Sequence, residues 1–136
     1  MEANQSVTTS TSGREIIEKE LSYLIVAAFF EVYNYLGFGF LEAIYAEALE
    51  LALARRGLRV EREVPITIFF KGEPIGLYRI DMLVEGRIIV EIKSSERVND
   101  IAKRELRNYL VATGKRLGLL LHFGPQAQFF RVLSPR

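Results

Sequence analysis

Cysteine is absent from the 136 residues, and histidine occurs once. The first absence excludes a disulfide scaffold, a thiolate zinc site and a cysteine nucleophile. The second excludes a histidine-rich metal cluster. Long apolar runs are also missing. The longest, Tyr23 to Phe30, is ended by Glu31, whereas a membrane span needs ~20 apolar residues. That run reads as a buried helix segment. The first thirteen residues lack the basic start and apolar centre of a secretory signal, so the expected location is the cytoplasm. Nor is charge of one sign in excess. Lys+Arg number 18 and Asp+Glu 17, a net charge of +1. This argues against a protein that coats nucleic acid by bulk positive charge. Any charge that matters here is local.

What is present is average: 49% hydrophobic and 26% charged residues. A chain of this size forms one domain with a real core, since domains usually run to ~100–150 residues. Residues 1–13, MEANQSVTTSTSG, are mostly small and polar. They read as a flexible tail, leaving 14–136 as a single domain.

Ile17, Leu21, Leu24, Ala28, Val32 and Tyr35 recur at helical spacing over about 14–36. Gly37 and Gly39 break the pattern. Leu41, Ile44, Tyr45, Ala48, Leu49 and Ala52 mark a second helix to about Arg56, with Gly57 as its stop. Val60–Val64 and Ile66–Phe70 are strand-like, and KGEPIG (71–76) is turn chemistry. Leu77–Val84 and Arg87–Lys93 read as strands joined around Glu85-Gly86. Asn99 or Asp100 caps a third helix ending at Thr113, and Leu117–Phe123 and Gln128–Leu133 are the last strands. The order is α-α-β-β-β-α-β-β. The predicted class is α/β (α+β), a mixed sheet flanked by helices.

The most informative stretch is RIDMLVEGRIIVEIKSS, residues 79–95. Alternation places Glu91 and Lys93 on one strand face, ~6.6 Å apart along the strand. They are either an amphipathic solvent face or groups that need a partner or a metal. Asp81 on the preceding strand bears on this through register. A two-residue loop pairs Asp81 with Val90 and sets it on the face opposite Glu91. A three-residue bulged loop pairs Leu83 with Arg87, and Asp81 then lies diagonal to Glu91 on the same face. Glu-Gly suits the bulged turn better, so Asp81, Glu91 and Lys93 are expected to converge. Two carboxylates and a lysine suit an oxygen-ligated Mg²⁺ and phosphodiester hydrolysis, which needs neither Cys nor His.

Glu42 falls at the edge of the second helix's apolar face, partly buried; it is either a further acid of the site or a helix-start carboxylate meeting the positive helix end. Glu47 and Glu50 fall on the other side, as a solvated face. Residues 97–116 carry Arg97, Lys103, Arg104, Arg107, Lys115 and Arg116 against Asp100 and Glu105. On the third helix Lys103 and Arg107 lie one turn apart with Arg104 beside them; Ile101, Glu105 and Tyr109 form a separate row. This basic stretch is a phosphate-backbone surface or an ordinary solvated face. His122 ends an apolar strand and reads as structural rather than as a general base.

Gly39-Phe40-Leu41-Glu42-Ala43-Ile44-Tyr45 fits Gly-x-x-Glu-x-x-Tyr, followed in order by Asp81, Glu91-Ile92-Lys93, NYLVATG and LLLHFG. From about Leu36 to Val132 the chain resembles the GxxExxY protein family of the PD-(D/E)XK nuclease superfamily. That resemblance implies an α-β-β-β-α-β restriction-endonuclease-like core and a Mg²⁺-dependent nuclease, with Mn²⁺ as a substitute. It implies Asp81 and Glu91 as metal ligands, the Ile92 carbonyl as a further ligand, Lys93 as the catalytic lysine and Glu42 as the helix-borne acid. Lys103, Arg104, Arg107 and Tyr109 would face nucleic acid, DNA before RNA. Gly39, Tyr45 and Glu105 complete the motif positions, although Glu105 stands where relatives often carry Gln, and His122 where they often carry Asn. Two other readings stand beside the nuclease. One is an inactive module on the same fold that binds nucleic acid or a protein partner. The other is a structural homodimer built on the paired phenylalanines.

Overall fold

The change from a 3.6-residue period to strand-like runs at Gly57 is where the chain passes from helices to sheet. The computed structural model describes residues 10–135, with side chains from residue 18 onward. Its elements are α1 (Ser10–Leu36), α2 (Glu42–Ala54), β1 (Val60–Phe70), β2 (Glu73–Val84), β3 (Ile88–Lys93), α3 (Asp100–Thr113), β4 (Leu117–Phe123) and β5 (Ala127–Leu133). This is the expected order. Helix α1 takes in residues 10–13, which composition assigns to the tail; once a helix is nucleated, each added residue contributes a hydrogen bond. Residues 1–9 of that expected tail lie outside the described residues.

The five strands lie in the order β1-β2-β3-β4-β5. Only β3 and β4 are parallel; the other neighbours are antiparallel. The parallel pair is the one joined through α3, because a parallel return needs a long crossover. The sheet separates two cores. Helices α1 and α2 cover one face through Leu21, Ile25, Phe29, Tyr45, Leu49 and Leu53, meeting Met82, Val90 and Leu119. Helix α3 covers the other through Ala102, Leu106 and Leu110, meeting Ile80, Ile89 and Leu120. Strand β4 is buried along its whole length, as a strand covered on both faces should be.

The helical faces differ in detail from the periodic reading. Tyr35 is 89% exposed, and Leu36, four residues after Val32, takes its place against the core. On α2 the buried face is Tyr45, Ala46, Leu49, Ala52 and Leu53, so Leu41 and Ile44 are exposed. Glu42 is exposed as well, not partly buried. Apolarity alone does not mark the small Ala46, which α2 turns to the sheet in place of Leu41 and Ile44.

Two turns also differ. The KGEPIG turn shrinks to Lys71-Gly72, both with positive φ, and β2 starts at Glu73. A two-residue turn of this kind matches the twist of its flanking strands. In the β2–β3 hairpin Val84 pairs with Ile88 and Leu83 with Ile89, not Leu83 with Arg87. The extra residue, Arg87, follows the turn instead of preceding it. The two registers differ by two residues, so the parity of the pairing is preserved and Asp81 still comes level with the Glu91 side of β3.

Strand β2 does one thing that alternation forbids in a regular strand. Ile80 packs in the α3-side core and Met82 in the α1/α2-side core. Residues two apart on a strand share a face, so β2 rolls over at Asp81. Opposite lies Glu63, with φ of 52°, between the pairs Arg62↔Met82 and Val64↔Ile80. The roll lets one strand serve both cores.

Helix α3 approaches β4 closely at Gly118. A Cβ there would stand 2.7 Å from Leu106 Cδ1, and Leu106 is fully buried with no room to yield. Gly118→Ala is expected to lower stability by about 1–3 kcal/mol, the usual range for overpacking, as read from urea unfolding of the two proteins.

Candidate functional site

Strand β3 ends at Lys93, and at that end the paths of β2 and β3 part. The last ladder pair on this side is Met82↔Val90. Beyond it the carboxylates take over the ladder's role. The Asp81 backbone N–H donates to Glu91 Oε2 at 3.0 Å, and the Ile92 N–H donates to Asp81 Oδ2 at 2.8 Å. Each acid therefore caps the backbone of the other's strand. The two side chains are brought together, as the sequence predicts.

Their environment is hostile to charge. Glu91 is only 8% exposed. Burial, then repulsion from Asp81, pushes its carboxyl up to about 8, against the pull of Lys93. Asp81 is also raised, first by burial and then by Glu42, with the Ile92 bond, Lys93 and Arg62 acting against it. Lys93 is thus the cation that both acids face. A buried pair of carboxyls with one lysine is short of positive charge, and a cation would relieve it.

Glu42 reaches the site from the first turn of α2. Its Oε2 accepts from the Ser94 N–H at 3.1 Å, and the Ser94 hydroxyl donates to the Phe40 carbonyl at 2.6 Å. These bonds pin the start of α2 to the end of β3. Glu42, Arg62, Asp81 and Ile92 line one small cleft of about 210 Å³. Among the described residues no three His, Cys, Asp or Glu side chains form a ready metal-ligand group.

Tyr45 explains the spacing of the glycine-to-tyrosine motif. Its ring is fully buried and stacks on Phe123, centroids 4.0 Å apart. Its hydroxyl donates to the Gly37 carbonyl and accepts from the Phe40 N–H at 3.2 Å. Gly39 sits between these anchors at φ 118°, a conformation that side chains rarely adopt. The loop that presents Glu42 is thereby moulded around one tyrosine.

Helix α3 divides the residues expected on it. Tyr109 lies on the site side. Burial, then Glu91 and Glu105, pushes its hydroxyl up to about 12, and its ring meets that of Tyr78 at 5.6 Å. Glu105 is exposed and adds negative potential at Glu91. Lys103 instead stands 4.0 Å over the Phe130 ring, and Lys103 and Arg107 line a hollow with β5. Arg104 is exposed. The structure therefore brings Tyr109 and Glu105 to the acids and sets Lys103 and Arg107 toward β5.

Three participants escaped the sequence reading. Arg62 shares the cleft of Asp81 and is held by Glu50 at 2.9 Å and Glu47 at 3.2 Å. Those two acids are thus ion-pair partners and not merely a solvated face. The signal was an arginine in a strand otherwise rich in β-branched residues. Ser94 and Ser95 are the others. His122 Nε2 lies 2.9 Å from the Ser95 carbonyl and 3.1 Å from its hydroxyl, so the ring tethers the loop after β3.

The family model for the PD-(D/E)XK nuclease superfamily matches residues 19–132. The chain belongs to the PD-(D/E)XK nuclease superfamily. Its mixed five-stranded sheet between helices fits the restriction-endonuclease-like fold of that superfamily. Membership points to nuclease-type chemistry, and such nucleases generally use divalent metal ions. Among solved structures, the crystal structure of SSO0001 resembles it with a TM-score of 0.57 and 23% identity, over 70% of this chain and 51% of that one. The chain thus spans about half the length of that protein, and the likeness is one of fold. No curated protein matches. No helix among the described residues is long and apolar enough to cross a membrane.

Two outcomes follow. Tyr45→Phe removes both hydroxyl bonds and is expected to lower stability by ~1–2 kcal/mol, measured by chemical denaturation. The Glu91 carboxyl is raised in the folded state, to about 8 from 4.5. Folding therefore favours its protonated form. That contribution is full below about pH 4.5 and is lost as pH rises through about 8. In EDTA the melting temperature should fall across this window, and Glu91→Gln should flatten the fall.

Proposed function

We propose that the chain is a Mg²⁺-dependent nuclease that hydrolyses phosphodiester bonds of DNA or RNA. The observation that carries this reading is the reciprocal placement of Asp81 and Glu91, each bonded to the other's strand, with Lys93 as the cation both sense. The donor set fits a hard cation. Each of the two carboxylates has one oxygen held by a backbone N–H, leaving the other for a ligand. Asp81, Glu91 and the Ile92 carbonyl would hold Mg²⁺, with Mn²⁺ as a substitute. When bound, the ion supplies a more acidic water and charge neutralisation at the phosphoryl oxygen.

The rest falls to the chain's own side chains. Lys93, beside Glu91 on β3, is placed to orient the attacking water, take its proton, or offset charge growing on phosphate. Glu42, pinned by Ser94, closes the α2 side of the cleft and can take part through a bridging water. Tyr45 acts only through the loop it moulds. Burial of Glu91 keeps bulk water from screening these charges. The motif of residues 39–45 supports placement in the GxxExxY group.

A second reading is an inactive module that binds nucleic acid or a protein partner. Glu105 favours it, because its charge adds to the repulsion at Glu91. It predicts salt-dependent binding that survives Asp81→Ala and weakens when Arg104 or Arg107 is replaced.

The deciding assay presents single-stranded, duplex and branched DNA and RNA with Mg²⁺ or Mn²⁺. Cleavage is expected, stopped by EDTA, and lower by roughly 10²–10⁴-fold in Lys93→Ala, the range of a lost proton-transfer group. Mg²⁺ should also raise the melting temperature of the parent protein at pH 8 and not that of Asp81→Ala. Absence of both cutting and Mg²⁺-induced stabilisation would sink the enzyme reading.

A further inference from the structure

Strands β1 and β2 outrun the sheet. Strand β3 pairs with β2 only at Met82, Leu83 and Val84. The β1–β2 ladder continues to Phe70↔Glu73. The segment of β2 before Asp81 therefore forms, with β1, a two-stranded arm that projects past the site end of β3 by roughly 20 Å, at ~3.4 Å per residue. Its outer part is exposed yet apolar: Phe69, Phe70, Ile75, Leu77 and Tyr78 all lie open to solvent. An exposed apolar cluster of this kind marks a binding surface more often than chance exposure.

Tyr78 is the member of this group that touches the site. It lies three residues before Asp81 on the same strand and is 53% exposed. Its ring centroid is 5.6 Å from that of Tyr109, with the planes inclined by 56°. Tyr109 in turn senses Glu91 first and Asp81 last among its charged neighbours. Two aromatic rings thus lead from the paired carboxylates out to the arm. Two tyrosines serving only to pack α3 on the arm would have both rings covered. Here Ile66, Ile80 and Leu106 do that packing and are buried, while Tyr78 stays half open.

We infer that Tyr78 and Tyr109 form a stacking subsite for an unpaired base next to the scissile phosphate, and that the substrate is single-stranded nucleic acid. This rests on the nuclease reading above. The chemistry is general: every base has a π-face, and stacking on an aromatic side chain requires a base that is not already stacked between duplex neighbours. A duplex offers its phosphates to Lys93 but no free base to Tyr78. The arm therefore favours a strand that can splay a nucleotide over an inner wall of tyrosine.

The test uses the full chain in EDTA, where cutting is silent. A fluorescein-labelled thymidine oligonucleotide, a blunt duplex of the same length, and single strands carrying 2-aminopurine serve as probes. The single strand is expected to bind about tenfold tighter than the duplex, and Tyr78→Ala to remove about that tenfold, a loss typical of one stacked base. Duplex binding should be unchanged. Tyr78→Phe keeps the ring and should restore single-strand binding. 2-Aminopurine should be quenched by the parent and by Tyr78→Phe but not by Tyr78→Ala. The subsite is overturned if Tyr78→Ala binds single strands like the parent, or loses both substrates equally. It is also overturned if Tyr78→Ala changes the oligomeric state in light scattering, which would assign the arm to a second copy. Nucleic acid that binds regardless of Tyr78, or no binding of any probe, refutes the subsite alone; the nuclease reading falls only with the cleavage and Mg²⁺-stabilisation assays above.

Discussion

The backbone ladder between β2 and β3 stops before the strands have fully parted, and two carboxylates carry it on. The Asp81 N–H and the Ile92 N–H would be buried donors without partners where the ladder ends, and such groups are costly. Asp81 and Glu91 satisfy them crosswise. Much else follows from this one exchange. It fixes which strand faces which, it draws two acids into a buried place, and it leaves Lys93 as a positive charge that both acids sense. The same bonds hold one oxygen of each acid and leave the other without a backbone partner, so the two acids are structural members of the sheet as well as buried carboxyls.

Around that exchange the molecule spends its polar side chains on fixing loop ends. Ser94 ties Glu42 to the end of β3, Tyr45 gathers the loop before α2, and His122 holds Ser95. On the far side, Arg131 reaches across to the buried hydroxyl of Ser22, clamping β5 to α1. The apolar cores need no such help. Each is a separate layer, one under α1 and α2 and one under α3, and the sheet is shared between them. Membership of the PD-(D/E)XK nuclease superfamily agrees with this mixed sheet held between helices.

Much of this was legible in the residues. The element order follows from periodicity, because 3.6-residue and two-residue repeats are local properties of the chain. Helix α3 was readable to its ends: Asn99 accepts from the Ile101 N–H and Gly114 follows the last turn. The approach of Asp81 to Glu91 was readable because the expected and observed registers differ by two and keep the parity of the pairing; the rollover of β2 at Asp81 was not. What escaped was whatever depends on distance between elements. Nothing local in Arg62 tells that Glu47 and Glu50 will clasp it. Nothing local in Lys103 tells that it will stand over Phe130 and not over the site. Nothing local in Tyr78 tells that its ring will meet that of Tyr109 on α3.

The rollover of β2 gives the site a mechanical character. Strand β2 changes face at Asp81, opposite the positive-φ residue Glu63, and beyond that point it is joined on one side only, to β1. The arm is in effect a lever and Asp81 is near its fulcrum. A displacement at Phe70 and Lys71 would by this geometry be felt far less at a carboxylate so near the pivot. The outer reach of the arm and the spacing of the two acids thus hang on different parts of the sheet, the one on β1 alone and the other on β3.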